Sequence, residues 1–258
     1  MIGLKIPVFE KGNILTQEML DSMKAYAVDA IQLSYEGYGN GIISGCEITI
    51  TDNLLTIHKG LVNYQGNICF ITEDIELQYQ PTDTWNVVKL VFGELSKELM
   101  FTTMKMYAEI SERTEHEASA IEIARFRLQK GAVLRTAHRN FQDYETEYDT
   151  LSMIEAEYAG YRESTISPQL LYQFAEETKG YDISNGMDSA FLLQIWNMKG
   201  ESLNRKVIET YIAARLGRPV AHLSNREIYE GLVEALKKIK QGKMEQEVRR
   251  RSTRMIID

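Results

Sequence analysis

Near residue 140 of this 258-residue chain, the spacing of the apolar residues changes from two to about 3.6, and no single sheet or bundle accommodates both periods. Before that point apolar and polar residues alternate. Ile48 and Ile50 interleave with Thr49 and Thr51, Leu55 and Ile57 with Thr56 and His58, and Ile75, Leu77 and Tyr79 form a further run closed by Pro81. After it, apolar pairs recur four residues on: Leu170-Leu171 with Phe174-Ala175, Phe191-Leu192 with Ile195-Trp196, and Val207-Ile208 with Tyr211-Ile212. The chain is therefore expected to be α+β, an antiparallel β-sandwich-like module followed by a small helical bundle.

The turn residues place the β elements. Asp52-Asn53 and Gln65-Gly66 are hairpin turns that tolerate positive φ. Strands are expected over Leu61–Tyr64, Asn67–Ile71, Trp85–Gly93 and Leu99–Ala108, with the polar "ELSK" joining the last two. In "IEIARFRLQKG" the apolar phase changes near Ala124, which predicts a bulge. Ahead of the strands, Thr16 caps a helix ended by "EGYGNG", and its two apolar faces, Leu20, Met23, Ala27 and Ile31 against Met19, Tyr26 and Leu33, predict packing on two sides. Among the later helices, Ser167-Pro168 and the capping box Ser224 to Glu227 mark N-termini. The expected divisions are an extended arm (1–15), a helix and β-rich module (16–140), a linker (141–165), a helical domain (166–242) and a basic tail (243–258).

Chemistry is sparse. Cys46 and Cys69 sit on predicted strands and read as structural thiols in a reducing compartment. His58, His116, His138 and His222 lack the spacing of a helical metal site. "DYETEYD" sets Asp143, Glu145, Glu147 and Asp149 two apart without the glycine and distal glutamate of a calcium loop, so it reads as a solvated edge or loop. There is no phosphate-binding glycine loop, no nucleophile elbow and no run of eighteen apolar residues. The first residues lack the small-residue cleavage site of a secretory signal. No catalytic residue, cofactor or metal is assigned, and the chain is not expected to be an enzyme.

A net charge of −8 argues against broad nucleic-acid binding. The charge is uneven: eleven acids face three bases over 141–200, and eight bases face three acids over 237–258. Both ends carry apolar residues with no partner run. Ile2, Leu4, Ile6, Val8 and Phe9 lie in the arm, and Arg249, Arg250, Arg251 and Arg254 precede Met255 and Ile256 in the tail. These are the candidate interface residues, the arm by strand pairing and the tail by charge plus a small apolar anchor.

"GIISGCEITITDNLLTIHKGLVNYQGNICFI" resembles the N-terminal β modules of phage tail and baseplate proteins, and "EIARFRLQKGAVLRTAHRNFQDY" the segment that closes such a module. "STISPQLLYQFAEE" and "SNREIYEGLVEAL" resemble the helical half of proteins encoded beside tail genes in Clostridium-like prophages and phage-tail-like bacteriocins. The resemblance implies a structural subunit of the baseplate or tail-fibre attachment region of a contractile particle. It implies assembly with other tail subunits, in several copies, synthesis in the bacterial cytoplasm and release on lysis. It carries no catalytic residues. Two other readings stand beside it: a hydrolase acting on the cell envelope, and a nucleic-acid-binding adaptor using the basic tail.

Overall fold

The computed structural model describes residues 6–253 except 182 and 184, and side chains up to residue 241. It is α+β, with antiparallel sheets built first along the chain and a helical bundle last. Strands β1 (Gly41–Gly45), β4 (Gly60–Tyr64) and β5 (Asn67–Ile71) form one sheet, β2 (Ile48–Thr51), β3 (Leu54–Ile57) and β6 (Ile75–Gln78) a second, and β7 (Trp85–Lys97), β8 (Thr102–Ser111) and β9 (Ala120–Arg127) a third. Asp52, at φ 53°, and Gln65, at φ 50°, take the positive dihedrals their turns need. Inward residues of all three sheets meet in one core, with Ile42, Leu55, Ile57, Val62, Val88, Leu90, Ile121 and Phe126 all but inaccessible. Tyr64 stacks on Phe92 at 4.2 Å and Tyr79 meets Phe126 edge-on at 5.6 Å, so aromatic pairs span the sheets.

The bulge is where the phase change places it. Val88 pairs with Ala124 and Lys89 with Glu122, leaving Ile123 as the extra residue. Both Ile123 and Ala124 are thereby buried.

Helices α3 (Pro168–Thr178), α4 (Gly186–Asn197), α5 (Arg205–Leu216) and α6 (Asn225–Thr253) bury their stripes against one another. Phe174 lies edge-on to Phe191 and Tyr211, which stack on each other at 3.9 Å. The caps are those expected: Ser167 accepts from Gln169 N, and Ser224 and Glu227 exchange bonds of 2.7 and 3.2 Å.

Three expectations need correction. The stretch 141–165 does not run between the halves as a linker. It opens with a 3₁₀ turn (Phe141–Glu145) and contributes β10 (Tyr158–Ala159) and β11 (Ser164–Thr165), β10 lying parallel to β1. Phe141 and Ile154 enter the helical core, Leu151 the β core, and Ser152 exchanges two backbone bonds with Arg125. Its polar appearance hid apolar residues spaced too irregularly to show a period.

The second correction concerns "ELSK". It is the continuation of β7, and the turn falls at Glu98–Phe101, closed by Glu98 N donating to Phe101 O at 2.7 Å. Past an irregularity between Phe92 and Leu95 this hairpin leaves the core, so its residues lack the alternation that marks a half-buried strand. The third concerns the basic tail, whose backbone continues α6 through Thr253. Its side chains lie outside the described residues.

Candidate assembly surface

The N-terminal helix is laid down in three pieces: α1 (Gln17–Lys24), a π-helical turn (Ala25–Asp29) and α2 (Ala30–Ser34). Thr16 caps it through Oγ1, which accepts from Met19 N at 3.3 Å. None of its residues is buried. Leu20, Met23, Tyr26 and Val28 are about half exposed and Leu33 is 69% exposed. The two-sided packing expected from its apolar faces is thus absent among the described residues. A helix apolar on more than one side is ordinarily covered on more than one side.

The helix runs beside the projecting hairpin. Between them lies a groove of about 770 Å³, lined by Val28 and Gln32 of the helix, Ile68 and Phe70 of β5, and Met104 and Met106 of β8. At the hairpin tip Leu99 is fully exposed, Met100 81% and Phe101 68%. Sequence reading missed this tip, although three consecutive apolar residues beside a polar turn were the available signal. Isolated apolar side chains are normal on a protein surface, but a contiguous set of this kind marks a site of association. The methionines suit such a surface, because their unbranched side chains adapt to a partner's shape.

The proposed interface residues are distributed as follows. Ile6, Val8 and Phe9 lie outside regular secondary structure ahead of the helix and are about 60% exposed. Ile2 and Leu4, and Arg254, Met255 and Ile256, lie outside the described residues. Arg249, Arg250 and Arg251 fall on the backbone of α6, with side chains outside the description.

The potentially reactive groups have structural partners. Cys46 is buried, with its sulfur against Gly60, and burial pushes the thiol up to about 12, leaving it protonated and inert. Cys69 is half-buried and its thiol is also raised by burial. His58 bridges Thr49 and Asp74, each at 2.9 Å. His138 stacks on Tyr144 at 3.7 Å and faces the Leu151 carbonyl at 3.0 Å, and burial lowers its pKa. His116 is 3.7 Å from Glu157. His222 stands beside Glu163 and Glu209, residues that neither spacing nor periodicity connected to it. Among the described residues, no helix is long and apolar enough to cross a membrane.

No family model matches the chain, and no curated protein matches it. Among solved structures, the chain is similar to one from the TssK–TssF–TssG baseplate subcomplex of the type VI secretion system. That match has 10% identity and a TM-score of 0.40 and covers 92% of this chain and 100% of the other. It is also similar to TssK in a crystal structure, at 9% identity and a TM-score of 0.42, covering 93% and 69%.

Proposed function

We propose that this protein is a structural subunit of the baseplate or tail-fibre attachment region of a contractile phage-tail-like particle, present in several copies and acting by protein–protein assembly. The observation that carries the proposal is the uncovered apolar surface of the N-terminal helix and the β7–β8 hairpin. Burying a fully exposed side chain of this size is worth roughly 1.5–3 kcal/mol, and Leu20, Met23, Leu33, Leu99 and Phe101, half to fully exposed, together supply a driving force for association in proportion to their exposed area. The sequence resemblance to tail and baseplate modules supports the kind of assembly. Synthesis in the cytoplasm and release with the particle on lysis belong to the same proposal.

The test replaces Leu20 and Met23 with Asp and follows the protein in two settings. The isolated variant should keep the wild-type circular dichroism spectrum and melting temperature, because neither side chain is in a core. Co-expressed with the other particle genes, it should be missing from purified particles. Incorporation at the wild-type level would overturn the proposal.

A further inference from the structure

We propose that Glu163, Glu209 and His222 form a binding site for a divalent first-row transition ion, best matched by zinc, that clips the β10–β11 turn to the helical bundle. The three residues come from separate parts of the chain. Glu163 sits in the turn between β10 and β11, Glu209 in the middle of α5, and His222 in the α5–α6 loop. One ligand atom from each lies within 4.8 Å of the other two.

The spacing is that of ligands rather than of hydrogen-bond partners. His222 Nδ1 is 3.5 Å from Glu163 Oε2 and 3.4 Å from Glu209 Oε1. Good N–H···O bonds are about 2.7–3.2 Å. Two ligands of one tetrahedral zinc, each about 2.0–2.2 Å from the metal, are separated by about 3.3–3.5 Å. One imidazole and two carboxylates suit zinc better than magnesium, which prefers oxygen and water.

The surroundings hold the donors in place. The Glu209 side chain is only 6% exposed, and Oε1 accepts from Leu223 N at 2.9 Å, so the carboxylate is fixed next to the loop that carries His222. Arg205, one turn earlier on α5, donates through Nε to Ser164 O at 2.7 Å, through Nη1 to Leu223 O and through Nη2 to Asn225 Oδ1. Three of its five N–H groups are thus used on the same turn and loop, and none of these three bonds goes to Glu163 or Glu209. The Arg205 charge offsets one of the two acids, and the second is left to whatever sits between Glu163, Glu209 and His222. A protonated His222 is the competing candidate for that role. His222 itself is 73% exposed, which leaves an open approach for the ion and for a water as fourth ligand.

Titration of untagged, chelator-stripped protein with ZnCl₂ at neutral pH tests this by calorimetry and by thermal melting. One zinc per chain should bind, and zinc at about a hundred-fold excess over its Kd should raise Tm by roughly 5 °C. MgCl₂ should do neither. His222→Ala and Glu163→Gln, both outside the cores, should melt like the stripped wild type and lose the response to zinc. His58→Ala and His116→Ala should each retain it, excluding binding at the other two imidazole–carboxylate pairs. Absence of saturable zinc binding, or equal binding by His222→Ala, would overturn the site and leave His222 as an ion-pair partner only.

Discussion

The Arg135 guanidinium grips the Asp143 carboxylate through two bonds of 2.6 Å, Nη1 to Oδ2 and Nη2 to Oδ1. Asp143 also accepts from Arg139 N at 2.8 Å and Thr146 Oγ1 at 2.9 Å. This acid, in a stretch that reads as a solvated run of charge, is instead the knot that turns the chain from strands to helices. Its hydrogen bonds, above all those from Arg135, hold its pKa well below the usual carboxylate range.

Asp143→Asn is therefore expected to cost about 2 kcal/mol near neutral pH, the scale of a lost charge-assisted hydrogen bond. The direction with pH follows from the depressed folded-state pKa. The contribution is fully present above the unfolded value, about 4, and is lost as pH falls toward the folded value. Urea unfolding of both proteins should show a gap that is constant from about pH 5 to 7 and narrows below about 4. A pH-independent gap would assign the cost to packing.

Gly41→Ala is expected to destabilise by well over ~1 kcal/mol, the reverse of the gain seen where the backbone suits a side chain. Gly41 has φ 142°, and a Cβ there would lie 2.4 Å from the Tyr158 carbonyl carbon. The backbone of β10 approaches β1 only because no side chain intervenes. Chemical denaturation measures the loss. Gly66→Ala is the comparison, since its φ of 77° also disfavours a side chain but no atom lies within 4 Å.

The two thiols should differ in reactivity. Cys46 is 4% exposed and its thiolate is disfavoured by burial, whereas Cys69 lines the groove beneath the N-terminal helix. Iodoacetamide followed by mass spectrometry should modify Cys69 at least tenfold faster in the native protein. Equal rates would mean that the β core opens readily.

Removal of residues 1–13, or of residues 249–258, should leave the melting temperature within about 2 °C of wild type, because both cores are built among the described residues from side chains outside these two segments. Each truncated chain should fail to enter the particle. Incorporation of the full-length chain should weaken with added salt, as expected when four arginines make a charged contact. Normal incorporation of both forms would remove the two ends from the interface.

Local chemistry was legible where it is decided locally. The apolar period separates strands from bundle, the Ser224–Glu227 box starts α6, and the phase slip near Ala124 marks the bulge, because each depends on residues within a turn or two. The stretch 141–165 was not legible. Phe141, Leu151 and Ile154 have no common spacing, and two different cores bury them. Composition also could not reveal that the helix 17–34, apolar on two faces, would remain uncovered. That depends on whether another part of the same chain reaches it, and its closest approach to the sheets is α2 against β5. For the same reason Glu163, Glu209 and His222 meet only in the fold: burial of α5 and α6 brings the α5–α6 loop to the β10–β11 turn, and no sequence spacing records that approach.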